Sequence, residues 1–349
     1  MKLQKDLALA YDDVLLIPKY SEIRHRSDVD LSARIGPLAF RFPVWSANMD
    51  TVTESKMAIA LARFGGLGII HRFLTPEQQI KEVKAVKREN LPVGAAVGVK
   101  DGEQDRAKAL VAAGADILVL DIAHGHTKMA GDMLKFLKKN FSKIPVVAGN
   151  VATAEAFQYL AKNGADAVKV GIGSGSVCTT RVVTGSGVPA FTSIMQCAPL
   201  SRKLKVPIIG DGGIKNSGDM VKALAAGASL VMLGNLLAGT DESPGKVISV
   251  KGKRYKIYRG MASFAASSHR PDRNGRSHQT PEGVSRYVPY KGSAISVLDE
   301  LIGGVESGLT YSGAGDIRQL QDKAEFIVVS SIGVKENGAH DVVELKNRP

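Results

Sequence analysis

The sequence is poor in cysteine and in aromatic residues. Its 349 residues include two cysteines and one tryptophan, and aromatic residues make up 5%. Two cysteines, Cys178 and Cys197, exclude a disulfide scaffold and a cysteine-rich zinc site. No run approaches the roughly 18 apolar residues that a membrane span needs. Acidic residues interrupt the N-terminal segment where a signal peptide would have its apolar core, so we expect a cytoplasmic protein without a membrane partner.

The charge balance is basic. Lys and Arg number 46 against 34 Asp and Glu, which gives a net charge of +12. Such a charge favours anionic ligands, either nucleic acid or phosphorylated metabolites. The basic clusters at 84–88 and 251–256 are short and lack interleaved aromatic residues. We therefore expect a phosphate-bearing small molecule rather than nucleic acid.

One pattern repeats along the chain, in which short apolar runs alternate with amphipathic stretches. The runs have the length of strands buried on both faces. They are PVWSANM (43–49), GLGIIH (66–71), VGAAVGV (93–99), ILVLD (117–121), PVVAGN (145–150), AVKVG (167–171), PIIGD (207–211) and LVMLG (230–234). Helical periodicity occupies 53–64, 75–88, 102–113, 153–163 and 217–226. Thr53 and Thr75 are candidate N-caps, the second with Pro76 and Gln78 behind it.

Eight strand–helix units over about 200 residues fit a closed (β/α)8 barrel of the TIM type better than an open sheet. An open Rossmann-like sheet is the alternative, but no GxGxxG motif follows the first strand. We predict a single α/β catalytic domain over 1–349, with the barrel at about 43–308 and a C-terminal tail at 309–349. Residues 268–282 carry almost no apolar side chains, so we expect about 262–285 to form a polar lid after the eighth strand. A disordered insertion without a role is the alternative.

In barrels of this kind, the chemistry lies on the loops that follow the strands. The loop GIGSGSVCTTR (171–181) has glycines that allow close backbone approach, and Ser176 can donate to a phosphate oxygen. A lone cysteine is more often structural. Cys178, however, lies in a polar loop beside Arg181, where a thiol can become nucleophilic. Cys197 lies in an apolar helical pattern and is predicted to be a core residue.

The loops after the seventh and eighth strands carry DGG (211–213) and LGN (233–235). Barrels commonly bind phosphate there, and Asp211 is placed to accept hydrogen bonds from ribose hydroxyls. The segment DIAHGH (121–126) brings an aspartate and two histidines together, but three loop residues so near in sequence rarely complete a zinc site. We predict no zinc site there.

These residues resemble the IMP dehydrogenase/GMP reductase family over nearly the whole chain. The matching segments are YDDVLLIP (11–18), NMDTVTESKMA (48–58), GIGSGSVCTTR (171–181), DGGIKNSGD (211–219), LLAGTDESPG (236–245), YKIYRGM (255–261), PEGVSRYVPYKG (281–292) and ENGAHDV (336–342). The resemblance implies a (β/α)8 barrel that binds a purine nucleotide and a nicotinamide dinucleotide.

The resemblance also implies roles for individual residues. Cys178 would match the nucleophile that attacks C2 of the purine, and Thr180 the threonine that takes part in proton transfer. The residues implied at the substrate are Met49, Ser176, Asp211, Gly213, Gly234, Asn235, Tyr258, Gly260, Met261, Ala262 and Glu282. Those implied at the dinucleotide are Asp121, Asn150, Lys169 and Gly171. A potassium ion would be held by Gly173, Gly175 and Cys178, completed by Glu336, Asn337 and Gly338 of a neighbouring subunit in a homotetramer.

The family has two activities, and the sequence carries marks of both. The dehydrogenase oxidises IMP to XMP with NAD, and the reductase converts GMP to IMP with NADPH. Only residues 72–92 join the second and third strands, so the paired regulatory (CBS) insert of the usual dehydrogenase is absent. Chain size, HRF (71–73) and DIAHGH resemble the reductase. Phe264 stands where the reductase has a glutamate, and the tail resembles the dehydrogenase. We predict IMP dehydrogenase, with GMP reductase as the alternative.

The lid departs from the dehydrogenase pattern, in which an Arg-Tyr pair activates the hydrolytic water. Arg273 matches the arginine, but Asn274 follows it, and the pair Arg286–Tyr287 falls after the EGV motif. An arginine acts as a base only where its site strongly disfavours the guanidinium. Arg273 as water activator is therefore a hypothesis.

Two other classes stay open at this point. A flavin- or sugar-phosphate-binding barrel enzyme would share the phosphate site but would need no Cys178. A non-enzymatic nucleotide- or nucleic-acid-binding protein would show steep salt dependence and no turnover.

Overall fold

The computed structural model describes residues 6–264, 266 and 280–337. The strands of these residues are β1 (Val14–Leu16), β2 (Ala33–Ile35), β3 (Leu38–Phe40), β4 (Val44–Ser46), β5 (Leu67–Ile70), β6 (Gly94–Val97), β7 (Ile117–Asp121), β8 (Val146–Val151), β9 (Ala167–Val170), β10 (Ile208–Asp211), β11 (Leu230–Leu233), β12 (Ile248–Val250), β13 (Lys253–Arg259), β14 (Ser285–Pro289) and β15 (Phe326–Val328). The α-helices described in full are α1 (Ser55–Phe64), α2 (Pro76–Lys87), α3 (Glu103–Ala112), α4 (Lys128–Asn140), α5 (Ala154–Lys162), α6 (Thr180–Thr184), α7 (Ala190–Leu204), α8 (Ser217–Ala225), α9 (Asn235–Ala238), α10 (Ala294–Tyr311) and α11 (Ile317–Lys323).

The eight predicted apolar runs form the parallel strands β4 to β11, which close into a barrel. Closure is made by β11 against β4, where Val231 pairs with Val44 and Leu233 with Ser46. Almost every residue of these strands is buried, because side chains fill the barrel on one face and helices cover the other. The prediction of a closed (β/α)8 barrel is confirmed, and the open-sheet alternative is wrong.

Of the two helix caps predicted from the sequence, the structure confirms one and contradicts the other. Thr75 caps α2 as predicted, since its hydroxyl accepts from Gln78 N at 3.2 Å and its own N–H donates to Gln78 Oε1 at 3.0 Å. The prediction that Thr53 caps α1 is wrong, because Glu54 holds the cap position. Thr53 Oγ1 lies instead 2.6 Å from the carbonyl of Ala47. This hydrogen bond therefore stabilises the loop that follows β4.

Three strands outside the barrel form an antiparallel sheet between β11 and α10. In this sheet β13 pairs with β12 on one side and with β14 on the other. Buried Lys256 on β13 donates to the carbonyls of Thr240 at 2.9 Å and Ser243 at 2.5 Å, which ties the sheet to the loop after α9. The predicted lid at about 262–285 belongs to the connection from β13 to β14, and residues 265 and 267–279 of it lie outside the described residues.

The two ends of the described chain meet. Strand β1 pairs antiparallel with β15, joining Val14 to Val328 and Leu16 to Phe326. The first part of the predicted tail therefore returns to the start of the domain. Within the described residues, no helix is long and apolar enough to cross a membrane.

Candidate functional site

A cavity of about 760 Å³ opens at the carboxyl ends of the barrel strands. Because the strands are parallel, the loops that follow them meet at one end of the barrel. The predicted site residues that line the cavity are Met49, Asp121, Asn150, Lys169, Gly171, Gly173, Gly175, Ser176, Cys178, Thr180, Asp211, Gly213, Gly234, Asn235, Tyr258, Gly260, Met261, Ala262 and Glu282. The structure thus brings together candidates from well-separated parts of the chain.

Cys178 lies in the loop between β9 and α6, in the cavity wall. Its Sγ is 3.1 Å from Thr180 Oγ1, and its N–H donates to the carbonyl of Gly175 at 3.0 Å. The N–H of Thr179 donates to the carbonyl of Glu282 at 2.8 Å. The loop 171–181, called the cysteine loop below, therefore has an internal backbone hydrogen bond and a second one to the segment that precedes β14.

The two cysteines have opposite surroundings. Cys178 is partly exposed in the cavity, whereas Cys197 is fully buried in α7, and burial raises the pKa of its thiol to about 12. A thiol reacts through its thiolate and needs access. Cys197 meets neither condition, which agrees with its prediction as a core residue.

We expect iodoacetamide to label one thiol per native chain at neutral pH. Mass spectrometry after digestion should place the label on Cys178. A Cys178→Ala variant should take up none until it is denatured, whereas Cys197→Ala should label like the parent protein. Labelling of Cys197 in the native protein would contradict this reading of the two environments.

A buried charged network crosses the barrel mouth. Lys169 Nζ lies 2.7 Å from Asp211 Oδ2 and 3.6 Å from Asp121 Oδ1, and it also donates to Asn150 Oδ1. Asn150 Nδ2 donates to the same Asp211 Oδ2 at 2.8 Å. On the far side of Asp121, Arg72 Nε is 3.4 Å from Oδ2. Four barrel strands and the loop after a fifth thus supply one polar cluster.

The opposite charges in this network shift the pKa values of Asp121 and Lys169. Burial alone would raise the pKa of Asp121, but the cations of Lys169 and Arg72 hold it below its ordinary value. Burial would likewise lower the pKa of Lys169, but Asp211 and Asp121 hold it above its ordinary value. At neutral pH Asp121 therefore presents a carboxylate to the cavity, and a carboxylate accepts hydrogen bonds from hydroxyl groups.

The opposite side of the cavity carries hydrogen-bond donors. Tyr258 on β13 is 4% exposed, and its Oη lies 3.6 Å from Met49 Sδ and within reach of Ser176. Burial raises the pKa of Tyr258, so its hydroxyl stays protonated. Asn235 and the backbone of Gly213 line the same region. These groups can bind an anion without a carboxylate of their own.

Arg72 and Ser174 are polar residues of the cavity to which the sequence analysis assigns no role. The sequence analysis predicts His71 at the end of the apolar run 66–71, but His71 is buried and does not line the cavity. Its Nε2 lies 3.5 Å from Glu54 Oε1. Arg72 is the next residue and reaches the cavity. Ser174 Oγ donates to the carbonyl of Asp211 at 3.2 Å. The sequence signal for Arg72 is its position shortly after a strand, two residues past the end of β5.

Some predicted residues are not in the cavity. Glu336 and Asn337 lie in the turn Gly333–Asn337 after β15, and they do not line it. Arg273 and Gly338 lie outside the described residues. In the described part of the chain, no cluster of three His, Cys, Asp or Glu side chains could hold a metal ion.

Gly171 is a position that only glycine can occupy. Its φ is +146°, and an added Cβ would lie 1.9 Å from the carbonyl oxygen of Asp211. We expect Gly171→Ala to displace the cysteine loop from β10 and to lower catalytic efficiency about 100-fold or more, as misplacing catalytic groups does.

A matched control separates this effect from backbone strain alone. Gly252, in the turn before β13, has φ +75° and open space around its Cβ position. Gly252→Ala should cost about 1 kcal/mol of stability and leave activity unchanged. Steady-state kinetics and urea unfolding of both variants give the comparison. Equal activity in the two variants would contradict the packing argument.

Comparison with known proteins gives consistent matches. Residues 8–340 match a family described as IMP dehydrogenase / GMP reductase domain. An inosine-5'-monophosphate dehydrogenase of Nitrosopumilus maritimus is 40% identical, covering 96% of this chain and 98% of the relative. One of Cryptosporidium parvum is 40% identical over 97% and 96%. A GMP reductase of Leishmania major is 36% identical over 97% of each.

The lengths of these alignments bear on the missing insert. The alignments with the Nitrosopumilus dehydrogenase and the Leishmania reductase span 468 and 479 positions, far more than the 349 residues of this chain. The alignment with the Cryptosporidium dehydrogenase spans 388. A long relative can therefore carry either name, and the dehydrogenases include both a long and a shorter relative. Chain size does not discriminate between the two activities.

Proposed function

The chain belongs to the IMP dehydrogenase/GMP reductase family, and from this premise we propose that it oxidises IMP to XMP with NAD. The observation that carries the proposal is the position of Cys178. Its Sγ lies 3.1 Å from Thr180 Oγ1 in a cavity shared by anion-binding and hydroxyl-binding groups. A thiol with an adjacent hydroxyl suits covalent catalysis on a base held between those groups.

The donor-rich side of the cavity binds the phosphate of the nucleotide in this proposal. Ser176, Asn235 and Tyr258 donate hydrogen bonds to its oxygens, with the backbone of Gly213 and Gly234. Asp211 accepts the ribose hydroxyls, supported by the fact that the described contacts of its carboxylate fall on Oδ2. Met49, Gly260, Met261, Ala262 and Glu282 line the base.

The reaction begins at the sulfur of Cys178. The sulfur adds to C2 of the purine as the C2–N3 π bond opens, and the thiol proton passes by way of Thr180 to N3. A nicotinamide ring held beside C2 would supply the acceptor for the hydride of C2, and the N3 proton would be lost as the C2–N3 double bond forms again. Water next attacks C2, the C–S bond breaks, and Cys178 recovers its proton as XMP forms. Arg273 is the proposed activator of this water.

The second half of the cavity fits a ribose of the dinucleotide. Asp121 is charged and forms ion pairs with Lys169 and Arg72. Its carboxylate can accept hydrogen bonds from two vicinal hydroxyl groups. Asn150 and Gly171 continue the same wall. A volume of about 760 Å³ lies in the range of ligand sites in proteins. We assign these residues to binding and orienting the dinucleotide.

A potassium ion is the other group that we propose. The carbonyl oxygens of Gly173, Gly175 and Cys178 are hard donors of the kind that bind potassium in selectivity filters. A cation held there would order the loop that carries the nucleophile. Glu336, Asn337 and Gly338 of a neighbouring subunit would complete the site in a homotetramer.

GMP reductase is the second candidate, and HRF (71–73) favours it by resemblance. That reaction releases ammonia, which needs a proton donor near C2. Phe264, where the reductase pattern has a glutamate, is 75% exposed and brings no carboxyl group. This absence of an acid at position 264 favours the dehydrogenase.

One assay separates the candidates. Purified protein is mixed with IMP, NAD⁺ and potassium while NADH absorbance is followed, and GMP with NADPH is run in parallel. NADH formation with XMP as product is the expected result. NADPH consumption with IMP as product would overturn the proposal in favour of the reductase, and turnover in neither mixture would overturn both.

A further inference from the structure

A second cavity of about 240 Å³ adjoins the first at its phosphate end. The two cavities share the lining residues Gly173, Ser174, Ser176, Gly213, Ile214 and Asn235. Three of these, Ser176, Gly213 and Asn235, are proposed ligands of the 5'-phosphate. The second cavity therefore begins where the phosphate of a bound nucleotide would end.

The groups that line the second cavity favour an anion. Arg181 and Lys215 contribute two cations against the one carboxylate of Asp12, and α7 begins at the cavity with Ala190. The N-terminus of a helix carries a partial positive charge. Lys215 forms an ion pair with Asp12, and the two side chains are 51% and 53% exposed. A half-exposed pair of this kind is weak, so a phosphate oxygen can take the place of the Asp12 carboxylate.

Tyr11 is a buried residue of the cavity lining, and the edge of its ring lies against Gly213. The residue is 2% exposed, and its Oη has no hydrogen-bond partner among the described residues. Buried hydroxyls normally find a partner. Burial raises the pKa of Tyr11, so the group stays protonated and able to donate.

We propose that the second cavity receives the β-phosphate of a purine nucleoside diphosphate whose α-phosphate occupies the monophosphate site. Adjacent phosphates share a bridging oxygen, so their sites must be contiguous, as the shared lining makes these two. Such diphosphates would compete with the substrate and act as inhibitors. The inference rests on the proposed function, because it takes the purine monophosphate site as given.

The test compares inosine 5'-diphosphate with IMP by isothermal titration calorimetry. In the parent protein we expect the diphosphate to bind within about tenfold of IMP, since one or two charge-assisted hydrogen bonds offset the added desolvation. Lys215→Ala should weaken the diphosphate about five- to tenfold and IMP less than twofold, and Asp12→Asn should tighten only the diphosphate. Lys203→Ala, an exposed lysine near the opposite end of α7, is the control and should change neither.

The outcomes are separable from those of the proposed function. IMP is the substrate of the dehydrogenase and the product of the reductase, so the ratio of the two affinities does not depend on which reaction is catalysed. Diphosphate binding more than 100-fold weaker than IMP binding would overturn the inference. So would equal weakening of both nucleotides by Lys215→Ala, or no change in either. Failure of IMP itself to bind would count against the proposed function as well.

Discussion

Cys178→Ala is expected to lower kcat by about 10⁴-fold or more, the order of loss seen when the nucleophile of covalent catalysis is removed. Without the sulfur there is no bond to C2, and hydride would have to leave an unactivated purine. The cavity itself should survive, because Cys178 contributes a partly exposed side chain rather than core packing. IMP should therefore still bind, which calorimetry can check beside the turnover assay.

The matched control is the other cysteine. Cys197→Ala changes a fully buried side chain in α7, so it should cost about 1 kcal/mol of stability with kcat near that of the parent. Thr180→Val tests the proton route, since it keeps the shape and removes the hydroxyl 3.1 Å from Sγ. A Cys178→Ala variant with more than a few per cent of the parent activity would rule out the covalent route.

Lys169→Met is expected to lower the free energy of unfolding by about 3–5 kcal/mol, which is the usual effect of removing one partner of a buried ion pair. The lysine is 3% exposed and lies between Asp121 and Asp211. Without it, Asp121 and Asp211, whose side chains are 17% and 20% exposed, lose the cation that they share, and Arg72 remains beside Asp121. Urea unfolding monitored by circular dichroism measures the change.

Lys138→Met provides the comparison. Lys138 Nζ lies 2.7 Å from Asp166 Oδ2, the same distance as in the buried pair, but the two side chains are 27% and 29% exposed. Solvent screens such a pair, so we expect a loss of about 1 kcal/mol or less. Equal losses in the two variants would show that burial does not set the strength of the Lys169 network.

The pH dependence of the free energy of unfolding should differ in sign between the parent protein and Lys169→Met. In the parent, the folded-state pKa of Asp121 is lowered, so its contribution to stability is lost as the pH falls through and below the ordinary value of 3.8. In Lys169→Met the Asp121 carboxylate has lost its main cation. Protonation of Asp121 then removes an uncompensated negative charge and stabilises the folded state. The difference in stability between parent and variant should therefore shrink as the pH is lowered.

The barrel was predictable because its signal is local. Strands buried on both faces read as continuous apolar runs, and each run from PVWSANM to LVMLG became a strand of the barrel. The cysteine loop was found for the same reason, since Gly, Ser and Cys follow one another at a strand end. Thr53 shows the limit of local reasoning. As an N-cap, its oxygen would accept from an N–H of the helix, but in the fold its hydroxyl donates to the buried carbonyl of Ala47.

What the sequence determined by itself was the order of strands and helices, the polar residues at the strand ends and membership of the family. The tertiary structure alone decided which of those residues meet. Arg72, Asp121, Lys169 and Asp211 come from different strands and their loops, and their contacts depend on barrel closure and strand register. The same holds for Tyr11, which packs beside Gly213 from the far end of the chain. Periodicity is a property of neighbouring residues, whereas a charged network across a barrel mouth is a property of the closed fold.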